Sequence, residues 1–115
     1  YDPAEPLAHA LMSFPMLVQP GSVLGFPADE YPDPPAQRTV VAQDRQGRIL
    51  FIVAPRGYLS LHDTARTLLE SDLEIDSALN LDGGYSTGLW LTSEAAQVTI
   101  DSRVTVPSVL TVTPR

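Results

Sequence analysis

The chain has 115 residues, a formal net charge of −7 and no cysteine. The lack of cysteine excludes disulfides, thiolate chemistry and cysteine metal sites. Without a run of basic residues or a long apolar segment, we expect neither a nucleic-acid partner nor insertion into a membrane. The length suits one domain, or part of one, over residues 1–115.

The first third of the chain is rich in proline and predicts few regular elements. Pro6 favours the first turn of a short helix that reaches Leu11. The segment FPMLVQPG, residues 14–21, predicts a short extended stretch that ends in a Pro-Gly turn. Residues 25–37 hold four prolines and three acids, which predicts a loop rather than a central strand.

A β-hairpin and a helix are predicted next. Thr39–Ala42 and Ile49–Ala54 are apolar and rich in β-branched residues, and the segment DRQG between them suits a tight turn. The helix should begin after Ser60, a good N-cap whose partner in a capping box would be Asp63. It should run from Leu61 to Glu70, with four apolar residues on one face: Leu61, Ala65, Leu68 and Leu69.

The remaining elements are predicted to be strands. DSALNLDGG, residues 76–84, suggests a short buried strand, and residues 87–93 with 95–101 suggest a second hairpin. A final strand is expected after Pro107. The predicted fold class is therefore α+β, with a mixed, largely antiparallel sheet and one main helix packed on it.

The segment ALNLDGGYSTG, residues 78–88, concentrates the polar groups that indicate chemistry. In a strand, Asn80 and Asp82 would point to the same face and sit where the strand opens into a loop. Gly83 and Gly84 permit positive φ, close approach of a ligand and an anion-binding nest of N–H groups, and two hydroxyls follow. The alternative is ordinary turn chemistry, in which the aspartate caps its own backbone.

SALNLDGGYSTGLWL, residues 77–91, resembles the signature of the phosphodiester glycosidase family. The family includes a lysosomal enzyme that removes N-acetylglucosamine from a phosphodiester to mannose. The resemblance extends upstream through the Arg38-Thr39 hairpin, the helix and SFPMLVQPG, and downstream to PSVLTVTPR. It implies that the chain is the C-terminal half of a longer domain, whose N-terminal portion is a separate chain, cleaved away or removed.

The resemblance also implies a hydrolase that cleaves a glycosyl-phosphodiester linkage in a glycan or exopolysaccharide. Asp82 and Asn80 would be catalytic, with Asn80 orienting Asp82, donating to a sugar hydroxyl, or satisfying backbone groups instead. Arg38 would bind phosphate through its planar fork, or form a surface ion pair at the strand start. The other residues expected to bind substrate are Thr39, Gly83, Gly84, Tyr85, Ser86 and Thr87. For the two hydroxyl residues after Tyr85, local turn bonds are the alternative.

Several expectations stay open from the sequence. Glycosidases usually pair two carboxylates, and the second is either Asp44 or a residue of the absent portion. No cofactor is expected; a divalent cation at Asp82 is an alternative that no histidine cluster supports. Tyr58 and Tyr85 are candidates for stacking on a sugar, Trp90 is expected in the core, and Asp72, Glu74 and Asp76 are expected to form a solvated acidic edge.

The partner predicted from this reasoning is a carbohydrate phosphodiester, with the absent portion or a second copy of the chain as further partners. Such a substrate favours an extracellular, periplasmic or cell-surface protein. The rival hypotheses are a non-catalytic glycan-binding domain and a structural half-domain on the same scaffold.

Overall fold

A computed structural model of the chain describes residues 4, 6, 10–27 and 33–113. Its main sheet has five strands in the order β2-β1-β5-β3-β4, and each neighbouring pair is antiparallel. These strands are β1 Met16–Gln19, β2 Val23–Leu24, β3 Ala36–Asp44, β4 Ile49–Leu59 and β5 Ile75–Asn80. The helix α1 is Leu61–Glu70, and β6 Leu89–Thr92 pairs with β7 Gln97–Ile100 in a small second sheet. The predicted α+β class is confirmed.

The core lies between α1 and one face of the main sheet. Alternate side chains of β3, beginning with Arg38 and Val40, are buried on this face, as the two-residue period of a strand requires. The buried apolar cluster contains Leu17, Val18, Val40, Ala42, Ala65, Leu68, Ile75 and Ala78. Leu61 and Leu69 pack against it, so the predicted apolar face of the helix is confirmed.

Local sequence signals set the bounds of α1. Ser60 Oγ accepts from the backbone N–H of Asp63 at 3.0 Å, while the Asp63 carboxylate accepts from the Ser60 backbone. Both halves of the predicted capping box are therefore present. The hydrogen bonds from Ser60 hold the pKa of Asp63 below its ordinary value. The hairpin β3–β4, the strand β5 and the hairpin β6–β7 also lie where the sequence predicted them.

Gly25 allows the backbone that follows β2 to pack closely against β1. Its N–H donates to the Leu17 carbonyl at 2.9 Å. A Cβ placed on Gly25 would lie 1.8 Å from the carbonyl oxygen of Met16 and 2.9 Å from that of Leu17. Only a residue without a side chain fits this approach of backbone to backbone.

Two predictions were wrong, and two others are tested only in part. Residues 107–113 form no strand, since no described strand pairs with them. Trp90 is 58% exposed rather than in the core, because no described layer covers that face of the small sheet. Ala10 and Leu11 are not helical, although residues 7–9 of that predicted helix lie outside the described residues. In the loop predicted over 25–37, residues 28–32 lie outside the description, and Ala36 and Gln37 already belong to β3. No helix among the described residues is long and apolar enough to cross a membrane.

Asp44, one of the two alternatives that the sequence left open for a second carboxylate, proves to be a buried structural carboxylate. It lies at the end of β3 opposite to Arg38 and is 2% exposed. Its oxygens accept from the backbone N–H of Gln46 at 2.9 Å and from the N–H and Nε of Arg48 at 2.8 and 2.6 Å. Burial raises the pKa of Asp44, but these hydrogen bonds outweigh it and hold the pKa below 3.8.

The lowered pKa of Asp44 makes part of the fold's stability depend on pH. The folded value lies below the unfolded value of 3.8, so protons bind the unfolded chain more readily. The contribution of Asp44 is therefore present above about pH 4 and is lost as the pH falls through the folded value. We expect Asp44→Asn to be less stable than wild type at pH 6, with the difference shrinking towards pH 2.

Urea unfolding at several pH values measures this difference. Asp72→Asn is the control, because it removes the same charge from an exposed side chain without a hydrogen bond to a described residue. A difference that stays constant with pH, or that matches the control, would contradict the role assigned to Asp44.

Candidate functional site

The motif of residues 78–88 lies where β5 ends beside the beginning of β3. Val40 pairs with Asn80 in the sheet, and the N–H of Leu81 donates to the Thr39 carbonyl at 2.8 Å. This register continues past the end of β5, which brings the backbone at Asp82 across from Arg38. The two residues that the sequence assigned to catalysis and to phosphate therefore lie on neighbouring segments of one sheet end.

Asp82 is exposed, and no described residue donates to its carboxylate. Its carboxylate forms no hydrogen bond and no ion pair with the described residues. The hydrogen bond that would mark it as the cap of its own turn is therefore absent from this part of the chain. What remains is a carboxylate, presented to solvent at the end of a strand, that is free to contact a ligand.

Asn80 is fixed from one side only. Its Nδ2 donates to the Phe14 carbonyl at 3.2 Å, and its backbone N–H donates to the Pro15 carbonyl at 3.0 Å. The side-chain oxygen Oδ1 is buried without a hydrogen-bond partner among the described residues. The amide thus satisfies a neighbouring backbone group, as one of the sequence interpretations held, and leaves an acceptor unused.

Arg38 is buried and paired. The side chain is 10% exposed, and its Nη2 donates to both carboxylate oxygens of Asp33 at 2.9 Å. Nε donates to the Leu59 carbonyl, and Nη2 also donates to the Pro34 carbonyl. Asp33 in turn accepts from the N–H of Leu61 at the start of α1. The ion pair foreseen at this strand start is present, but it is buried and joins strand, loop and helix; phosphate binding by Arg38 stays a prediction.

Gly83 and Gly84 have different structural roles. A Cβ on Gly83 would lie 2.7 Å from the Gln37 carbonyl oxygen, so this glycine lets the loop approach β3. Gly84 has φ +59 with open space around it, and it begins the 3₁₀ helix Gly84–Ser86. Its N–H and that of Tyr85 donate to no described residue, which leaves them available to a ligand.

The predicted hydroxyls do not gather in one open pocket. Thr87 is 1% exposed, and its hydroxyl lies 3.4 Å from that of Thr39. Thr39 alternates with the buried residues of β3, so this contact lies on the sheet face away from α1. Ser86 is half-buried, and its N–H donates to the Gly83 carbonyl at 3.2 Å. In this arrangement Thr39 and Thr87 join the loop to the sheet.

An open cleft of about 490 Å³ adjoins the motif. The residues that line it are Pro35, Ala36, Gln37, Pro55, Arg56, Gly57, Tyr58, Gly84, Tyr85 and Arg103. The sequence had suggested the two tyrosines as sugar-stacking residues, and both are exposed here. It gave no indication of Arg56 and Arg103, which are isolated in the sequence and meet only because β4 and the segment after β7 both reach this end of the sheet.

The described residues hold no group of three or more histidine, cysteine or acidic side chains that could bind a metal ion. Of the three alternating acids before and within β5, Asp72 and Glu74 are exposed. Asp76 is half-buried and accepts from the Gly21 N–H at 3.0 Å. At the motif, the described residues present an exposed carboxylate, at Asp82, and an adjoining cleft with two guanidinium groups, at Arg56 and Arg103.

Comparisons with known proteins identify a family and one similar solved structure. A family model described as phosphodiester glycosidase matches residues 2–113. Among solved structures, the crystal structure of a hypothetical protein from Synechocystis is 31% identical, with a TM-score of 0.50. That similarity covers 65% of this chain and 15% of the Synechocystis chain, so the present chain spans a small part of that protein's length. A search of curated proteins found none that matches.

Proposed function

This chain belongs to the phosphodiester glycosidase family, and on that premise we propose that it hydrolyses a glycosyl-phosphodiester linkage. The bond cleaved would join the anomeric carbon of a sugar to a phosphodiester in a glycan or exopolysaccharide. With such a polymer as its substrate, the protein would work outside the cytoplasm. The observation that carries the proposal is the exposed carboxylate of Asp82, which has no partner among the described residues and lies in the motif of residues 78–88, beside an open cleft.

Cleavage of a sugar–phosphate bond develops positive charge at the anomeric carbon and negative charge on the leaving phosphate. Phosphate is already a good leaving group, so it needs less assistance from an acid than an alcohol does. An ionised Asp82 would stabilise or attack the anomeric carbon, or activate a water molecule. Asn80, two residues before Asp82, is held by the Phe14 and Pro15 carbonyls and so fixes the strand end from which Asp82 projects.

A second candidate function is the binding of a glycan without cleavage. It is favoured by the site's composition, because none of the described residues that line the cleft is a carboxylate. Asp44, the other carboxylate considered as a partner for Asp82, is buried at the far end of β3. A binding domain would keep the cleft and its aromatic residues and need no second acid.

Release of free sugar from a panel of sugar-1-phosphodiesters separates the two functions. We expect the purified protein to liberate sugar and phosphomonoester from at least one diester, and the products can be followed by chromatography. A folded protein that retains such diesters on an affinity column but hydrolyses none of them would identify a binding domain and refute the proposed hydrolase.

A further inference from the structure

The cleft beside the motif is lined by positive charge, whereas the molecule as a whole is negatively charged. The chain carries 14 acidic and 7 basic residues, yet the described residues that line the cleft include Arg56 and Arg103 and no acid. Three other arginines form ion pairs with acidic residues, at Arg38, Arg48 and Arg66. Neither cleft arginine has an ion-pair partner among the described residues. Two cations that face one cavity, and that no described acid neutralises, create a local field that favours an anion.

The cleft also has aromatic walls. Tyr85 is 64% exposed and Tyr58 76% exposed, and both line the cavity. The guanidinium carbon of Arg103 lies 5.7 Å from the centre of the Tyr85 ring, a cation–π contact. The backbone N–H of Arg103 donates to the Tyr85 carbonyl at 2.8 Å, which ties this segment to the motif. Arg103 is thus held in position before a ligand arrives.

From these contacts we infer that the cleft is a binding subsite for a phosphorylated saccharide. Arg56 and Arg103 bind the phosphate oxygens, and a sugar ring rests on Tyr58 or Tyr85. Guanidinium forks suit phosphate because they offer two parallel donors, and a volume of about 490 Å³ lies within the usual range for small ligands. A neutral glycan would leave both cations without a partner.

The choice of a sugar phosphate over other anions rests on the proposed function, whereas the anion site itself rests on the cleft alone. It also gives Arg38 and the cleft arginines different tasks. Arg38 holds Asp33 and the start of α1 together, while the two exposed arginines supply the contacts that a ligand can reach. Substrate would then span the loop of residues 82–85, with its phosphate in the cleft and its anomeric carbon towards Asp82.

Binding of α-D-glucose 1-phosphate, measured by calorimetry and by NMR titration, tests the inference. Arg56→Gln and Arg103→Gln should each weaken binding about tenfold or more, as expected for a lost charge-assisted hydrogen bond. Inorganic phosphate should bind more weakly than the sugar phosphate, and methyl α-D-glucoside more weakly still. Glucuronate tests whether any anionic sugar suffices.

Arg45→Gln is the matched control. Arg45 is exposed, forms no ion pair with a described residue and contacts Ser22 away from the cleft, so its loss changes net charge equally. The subsite would be overturned if all three variants bound equally, or if the wild type did not bind the sugar phosphate. It would also be overturned if the neutral glucoside or glucuronate bound as tightly as the sugar phosphate. Hydrolysis of diesters is assayed separately. Binding without hydrolysis refutes the hydrolase and keeps the subsite, whereas hydrolysis that the cleft variants do not impair refutes the subsite and keeps the hydrolase.

Discussion

Asp82→Asn should abolish most of the hydrolysis of a sugar-1-phosphodiester, with a loss of about 10²- to 10⁴-fold in kcat. The substitution keeps the shape of the side chain and removes the charge that would stabilise or attack the anomeric carbon. Because Asp82 is exposed and makes no hydrogen bond with a described residue, its replacement should leave the fold intact. The rate of sugar release by wild type and variant gives the change in kcat, and their melting temperatures show whether the fold is intact.

Asp72→Asn is a suitable control for this experiment. Asp72 precedes β5 and Asp82 follows it, so the same exposed charge is removed at opposite ends of one strand. We expect the control to retain the wild-type kcat. Wild-type activity in Asp82→Asn would remove this carboxylate from the mechanism, and an equal loss in both variants would show that net charge, rather than position, is what matters.

Gly25→Ala should have the largest effect on stability of any single-methyl addition at a described glycine. The new Cβ would lie 1.8 Å from the Met16 carbonyl oxygen, and backbone on both sides must move to relieve the clash. The Gly25–Leu17 hydrogen bond and the pairing of β1 with β2 would be disturbed. We expect a loss of at least about 2 kcal/mol in the free energy of unfolding, or roughly 8 °C or more in Tm.

Gly57→Ala adds the same methyl group where there is room for it. Its Cβ would meet the nearest heavy atom, in Ala36, at 3.6 Å, which is ordinary van der Waals contact. The expected change is within about 0.5 kcal/mol. Thermal unfolding followed by circular dichroism distinguishes the two variants, and similar melting temperatures for them would contradict the close approach seen at Gly25.

The elements that the sequence predicted well are those encoded by neighbouring residues. The capping box at Ser60 and Asp63, the DRQG turn and the apolar face of α1 each depend on groups within a few positions of one another. Such local signals agree with the final structure because they act before distant segments meet. The placement of Asn80 and Asp82 at a strand end followed from the same local reasoning.

The failures share a dependence on distant partners. Trp90 and residues 107–113 have the composition of buried or paired segments, but composition does not reveal whether a covering layer or neighbouring strand exists. Asp44 was a candidate acid until its turn supplied three donors. The residues that line the cleft come from four separate stretches of the chain. No local sequence motif therefore predicts that Arg56 and Arg103 lie in the same cleft.

The position of β4 at the border of the main sheet has a consequence for self-association. A long outer strand with exposed apolar residues such as Ile49 and Phe51 is a template onto which another chain can add. Pro55 lies in the middle of β4 and is followed by Arg56. Pro55 has no N–H to donate to an added strand, and Arg56 places a charge beside it, so both residues interrupt the template. The stretch that forms one wall of the cleft therefore also disfavours intermolecular β-pairing at this edge of the sheet.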